Sequence, residues 1–195
     1  MEFALIFLAG LATALLVLLA LRRYCSFSAQ SPSDYAGTGP DFDIRDHLNG
    51  ALLCEGVIYG PTGRVSSRFV ADMNTTWDGD TGVMTEDFRY DNGTEQHREW
   101  TLNVGDDGKI TATAPDILGK GEGEQKGAGV QLRYTIRLPE NAGGHVLNAV
   151  DWMYLVDNGT IINRSQFSKF GIPVAELVAT IRRRDSLGEA RMAAE

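Results

Sequence analysis

Two hydrophobic patterns divide the chain. From Phe3 to Leu21 the residues read FALIFLAGLATALLVLLAL, with no charge and no proline. From Gly50 onward, apolar and polar residues alternate in short segments bounded by Gly, Asn, Asp or Pro. The first pattern predicts one helix that just crosses a hydrocarbon core of about 30 Å at about 1.5 Å per residue. The second has the period of two that sends successive side chains to opposite faces of a strand. It predicts strands over Ala51–Tyr59, Arg64–Met73, Gly82–Tyr90, Thr94–Val104, Lys109–Ala114, Val130–Leu138, His145–Val156, Thr160–Phe170 and Pro173–Arg182, with a glycine-rich hairpin region from Gly119 to Gly129. Asp91-Asn92-Gly93 and Asp157-Asn158-Gly159 are hairpin turns, because Asn-Gly tolerates the positive φ values of a type I′ turn.

Successive hairpins of this kind build an antiparallel meander, and closure removes its two edges. The expected fold is all-β: an up-and-down, lipocalin/calycin-like barrel of about 8–10 strands, preceded by one transmembrane helix. An open sandwich is the alternative. The expected organisation is an anchor over 3–21, a Ser/Pro/Gly-rich linker and lead-in over 22–49, a barrel over 50–184 and a flexible tail over 185–195. Within the lead-in, 41–47 forms a helical turn or enters the first strand.

The flanks of the apolar run favour an uncleaved anchor. A secretory signal has a positive n-region, a shorter core and a small-residue cleavage site. Here the only charged side chain before the run is the acidic Glu2, and Arg22-Arg23 follow it. Cys25 is preceded by Arg22, Arg23 and Tyr24, which is not a lipobox. The basic pair on the C-terminal side places the barrel domain in the cytoplasm, with the periplasm as the alternative.

A net charge of −8 argues against a nucleic-acid partner, which needs clustered cations to neutralise phosphates. The basic cluster Arg182-Arg183-Arg184 is read as a solvated strand end. Two cysteines, Cys25 and Cys54, form no disulfide framework, and His47, His97 and His145 have no metal-ligand spacing. No cofactor and no metal are expected. The stretch from Gly119 to Gly129 lacks the Lys-Ser/Thr ending of a phosphate loop, so its glycines are read as bends or close strand crossings. The Asn-x-Ser/Thr sequons at Asn74, Asn92, Asn158 and Asn163 are not read as glycosylated. No nucleophile motif is present.

The candidate chemistry lies in polar residues on strand faces. Glu86 falls between Met84 and Phe88, Arg98 shares a face with Trp100, and Tyr134 lies between Leu132 and Ile136. Asp151 neighbours Trp152, and Asn163, Arg164 and Lys169 lie in the penultimate strand. A closed barrel carries some of these into a low-dielectric interior, where charges must pair. Two readings stay open: a buried Glu–Arg network that sets register, or a ligand headgroup site in which Arg98 or Arg164 grips a carboxylate.

The segments Glu86-Asp87-Phe88-Arg89-Tyr90, Arg98-Glu99-Trp100, Ala114-Pro115-Asp116-Ile117-Leu118-Gly119, Arg133-Tyr134, Asp151-Trp152-Met153-Tyr154, Asn163-Arg164 and Lys169-Phe170-Gly171 resemble the DUF3833 family. The resemblance covers the chain from about Asp34 to Arg182. It implies a bacterial source and membrane attachment, and it supplies no catalytic residues. Lipoprotein-like members differ from this chain, which has no lipobox. The expected function is binding of a fatty acyl chain or lipid by a barrel tethered at the inner membrane. A lipid-modifying enzyme using Glu86, Arg98 and Asp151, and a non-catalytic scaffold, are the alternatives.

Overall fold

The computed structural model describes residues 2–184, so the Ala/Glu-rich tail from Asp185 lies outside the described residues. Helix α1, Glu2–Tyr24, buries none of its residues. Its mean hydropathy reaches 2.8, which suits either a membrane anchor or a signal sequence.

Ten strands follow: β1 Gly50–Tyr59, β2 Val65–Asp78, β3 Thr81–Tyr90, β4 Glu95–Val104, β5 Lys109–Thr113, β6 Gly121–Lys126, β7 Gly129–Arg137, β8 Val146–Leu155, β9 Ile161–Lys169 and β10 Ile172–Arg183. Each pairs antiparallel with its sequence neighbour, and β1 pairs with β10, so the sheet is a closed barrel. The open sandwich is thereby excluded. At the seam, a Cβ on Gly56 of β1 would collide with the Val178 carbonyl and with Ala179 of β10. The glycine-rich stretch obeys the same rule: a Cβ on Gly123 of β6 would strike the Gln131 carbonyl of β7. Glycine there permits close strand approach.

Strand polarity gives the barrel two distinct ends. The short turns β2–β3, β4–β5, β6–β7 and β8–β9 lie at one end, which is closed. The loops β1–β2, β3–β4, β5–β6, β7–β8 and β9–β10 surround the other, which is the mouth. Residues 26–49, whose composition reads as a linker, are a strap and a plug. Two short 3-10 turns, Phe27–Ala29 and Pro32–Tyr35, run along the outside of β7–β9. The Tyr35 ring packs against Trp152 at 5.1 Å and Tyr154 at 5.4 Å. The Tyr154 hydroxyl donates to Gln30 Oε1 at 2.9 Å.

The strap then enters the closed end. Phe42 N–H donates to the Gly127 carbonyl at 2.8 Å. Helix α2, Ile44–His47, is capped by the Asp43 carboxylate, which accepts from Arg45 N–H at 2.9 Å. Phe42, Ile44 and Leu48 are buried in the barrel core, and Trp77 Nε1 donates to the Leu48 carbonyl at 2.8 Å. Isolated apolar residues at irregular spacing show no period, so a linker reading follows from pattern alone. Each becomes an anchor only because the barrel offers it a matching surface.

A candidate ligand-binding cavity

The alternation that builds β3 and β4 also builds the interior. Their register sets Glu86 opposite Arg98 and Met84 opposite Trp100, all pointing inward. Trp100 Nε1 donates to Glu86 Oε2 at 3.0 Å, and Arg98 Nη1 donates to the same oxygen at 3.3 Å. Arg98 also grips Asp116 with two hydrogen bonds, from Nε at 2.8 Å and Nη2 at 3.2 Å. Its guanidinium lies 4.7 Å from the centre of the Trp100 ring. The Tyr134 ring meets Trp100 edge-on at 5.3 Å.

Across the interior, β8 and β9 supply a second acid. Asp151 Oδ1 accepts from Asn163 Nδ2 at 2.5 Å and from Ser165 Oγ at 2.8 Å. Glu86 is buried and Asp151 half-buried in the barrel interior, and withdrawal from bulk solvent favours their neutral forms. Burial pushes the Asp151 carboxyl up to about 6, against the two hydrogen bonds that favour its charge. Burial also raises Glu86, opposed by Arg98 and Trp100. The Cys54 thiol and the Tyr134 hydroxyl are pushed upward for the same first reason.

These groups line an inner chamber of about 100 Å³. Above it, a mouth cavity of about 470 Å³ is lined mainly by apolar side chains, including Ile58, Phe88, Tyr90, Leu138 and Leu147. The two share walls at Phe88, Arg98, Phe167 and Leu177. Arg98 therefore stands at the junction of the apolar mouth and the acid-rich floor.

Six of the nine residues singled out from sequence meet in the inner chamber: Glu86, Arg98, Trp100, Tyr134, Asp151 and Asn163. The other three do not. Asp151 and Asn163 point inward, so the period of two turns Trp152 and Arg164 outward. Trp152 lies fully buried beneath the strap. Arg164 donates twice to Glu176, at 2.9 and 3.0 Å, with the Phe27 ring 4.4 Å away. Lys169 ends β9 at the mouth rim, 3.3 Å from His145. Neither arginine is free for a carboxylate, since Asp116 and Glu86 hold Arg98 and Glu176 holds Arg164. His97 takes no part, because it meets Asp87 on the outer surface at 2.7 Å.

Sequence reasoning passed over Asp116 and Ser165. Ser165 follows Asn163 by two residues in one strand, so the alternation itself marked it. Asp116 sits in the β5–β6 loop, where no period exists. It reaches Arg98 because that loop bridges to β7, with Ile117 opposite Ile136 and Arg137 N–H donating to the Asp116 carbonyl at 2.8 Å.

A closed ten-stranded antiparallel barrel with an apolar mouth over a polar floor is a calycin-like barrel. It resembles the S-type phycobiliprotein lyase CPES from Guillardia theta, with a TM-score of 0.53 and 11% identity over 72% of this chain and 90% of that one. It also resembles Rv2717c from M. tuberculosis, with a TM-score of 0.52 and 17% identity over 75% of this chain and 99% of that one. Among curated proteins, none is significantly similar in sequence. The chain belongs to the DUF3833 family of proteins of unknown function, whose profile matches residues 21–183.

Proposed function

We propose that this protein is a ligand-binding barrel, tethered to a membrane by α1, which holds an apolar chain such as a fatty acyl group or lipid. The carrying observation is the mouth cavity of about 470 Å³, whose walls are mainly apolar and whose floor is polar. Its volume falls in the range of roughly 300–1,000 Å³ typical of small-molecule sites. Similarity to a phycobiliprotein lyase supports a barrel interior that receives a ligand. The Arg22-Arg23 pair directly after the span favours a cytoplasmic barrel domain.

The floor narrows the ligand class. Arg98 already has two carboxylate partners, Glu86 and Asp116, and Asp151 adds further acidic character. A free carboxylate entering here would meet acids and no unengaged cation. The complementary ligand carries an uncharged, hydrogen-bond-donating end, such as a hydroxyl or amide, beneath its apolar chain.

The test is to purify the full chain in detergent, extract it with organic solvent and identify the retained species by mass spectrometry. The expected result is a stoichiometric apolar molecule with a donor group. A chain that carries nothing and fails to enhance the fluorescence of environment-sensitive lipid probes refutes the proposal.

One observation favours a second reading, a lipid-modifying enzyme. Asp151, pushed up to about 6, is suited to proton transfer near neutrality. In that case Asp151→Asn abolishes turnover of a bound lipid while leaving its binding intact.

A further inference from the structure

The strap fixes which end of the barrel the N-terminal helix meets. Tyr35 docks near the closed end, on Tyr154, which pairs with Ile162 early in β9. Phe27 docks further along β9, on Arg164. Going back along the chain from Tyr35 therefore climbs towards the mouth. At the end of that climb the Arg22 guanidinium donates to the Gly171 carbonyl, in the β9–β10 turn on the mouth rim. Only Arg22 to Ser26 separate the docked Phe27 from the apolar run, so α1 leaves the barrel at its mouth.

The β9–β10 turn is chemically unlike the others. The turns after β3 and β8 place Asn-Gly at their tips, whereas this one places Phe170-Gly171. Phe170 has a φ of 52°, in the left-handed region that disfavours a bulky side chain, and it is 91% exposed. Ile172 beside it is 64% exposed. Folding alone selects against an exposed aromatic in that conformation, so the residue is suited to a surface that meets it.

The balance of charge leans the same way. The mouth side carries Arg22, Arg23, Arg64, Lys120, Arg137 and Lys169 against Glu95 and Glu140, while its Asp91 is already paired with Arg68. The closed-end turns carry Asp78, Asp80, Asp106, Asp107 and Asp157, with Arg45 and Lys109 each held by an aspartate there; Lys126 and the Arg182-Arg183-Arg184 end of β10 also lie at that end, Arg182 and Arg184 paired with Glu55 and Asp72.

We propose that the barrel mouth faces the bilayer, with the Phe170–Ile172 tip seated at the lipid headgroup boundary and the surrounding cations against anionic phosphates. The cavity then opens onto the membrane, so that an apolar ligand passes between bilayer and barrel without crossing bulk water. This orientation rests on reading α1 as a membrane span, but not on the identity of any ligand.

The test uses the full chain in vesicles of phosphatidylcholine and phosphatidylglycerol. Single cysteines at Ile172→Cys and Asn158→Cys, in a Cys25→Ala background, are labelled with an environment-sensitive nitrobenzoxadiazole probe; Cys54 is buried and does not react. The expected result is a blue-shifted probe at position 172, quenched several-fold by spin-labelled lipid, and a probe at 158 that stays aqueous and unquenched. If the chain floats with the vesicles while position 172 stays aqueous, or while position 158 is the one quenched, the orientation is overturned and the anchor reading survives. If the chain fails to float at high salt, both fall.

Discussion

Asp151→Asn should make folding stability less dependent on pH. In the native barrel the Asp151 carboxyl is raised from its ordinary value of 3.8 to about 6, chiefly by burial. Below about pH 4 the carboxyl is protonated both folded and unfolded, so it has no effect on the folding equilibrium. Between about pH 4 and pH 6 the unfolded chain releases this proton while the folded chain retains it. Folding stability therefore falls through that window and stays lower above it. The full difference corresponds to about 3 kcal/mol, at roughly 1.4 kcal/mol per pH unit of separation. Water relaxing in the inner chamber reduces it, so about 1–3 kcal/mol is expected.

Asparagine keeps an acceptor oxygen for Asn163 and Ser165 and cannot ionise. Its stability relative to the native chain should therefore rise by about 1–3 kcal/mol between about pH 4 and pH 7. Glu86 is raised in both proteins, so its own pH dependence largely cancels in that difference. The assay is urea unfolding of the full chain in mild detergent, followed by tryptophan fluorescence, at a series of pH values. A stability difference that stays flat across the window, or moves against the variant as pH rises, refutes the claim that Asp151 is held neutral by burial.

Three other outcomes follow from the same geometry. Arg98→Met leaves Glu86 and Asp116 without their shared cation and should cost about 3–5 kcal/mol in urea unfolding; a loss below about 1 kcal/mol would show that the network is not structurally important. Leu177→Trp adds bulk where the two cavities meet, so it should abolish co-purification of an apolar ligand while far-ultraviolet circular dichroism stays native; full retention of ligand would place the binding site elsewhere. Phe170→Asn replaces a bulky residue in the left-handed region with one that tolerates it, and should stabilise the full chain by about 1 kcal/mol in detergent, whereas destabilisation would mean that Phe170 packs within the fold.

The strand meander and the paired Glu86 and Arg98 were legible because a β-strand has a strict period of two. Once a face is assigned, every second residue follows. That rule placed Trp100, Asp151 and Asn163 inside together. The same rule excludes Trp152 and Arg164, which neighbour inward-facing residues and so cannot share their face. The Asn-Gly turns were legible for a local reason, the tolerance of positive φ.

Asp116 was not legible as a site residue, because a loop has no period and its partner Arg98 is eighteen positions away. The lead-in was misleading for a related reason. Phe27, Tyr35, Phe42 and Ile44 are too sparse to make an amphipathic element, and each is buried or half-buried by a different part of the barrel.

By itself, then, the sequence determined an apolar helix, a run of antiparallel hairpins and the alternation of faces within each strand, because these depend on neighbouring residues and on backbone stereochemistry. Only the tertiary structure decided that the sheet closes between β1 and β10, that the linker is a strap and plug, and that Arg98 is taken by two carboxylates. It alone set the open end of the barrel beside the helix. Those features depend on contacts between residues far apart in the chain, and closing the barrel brings them together.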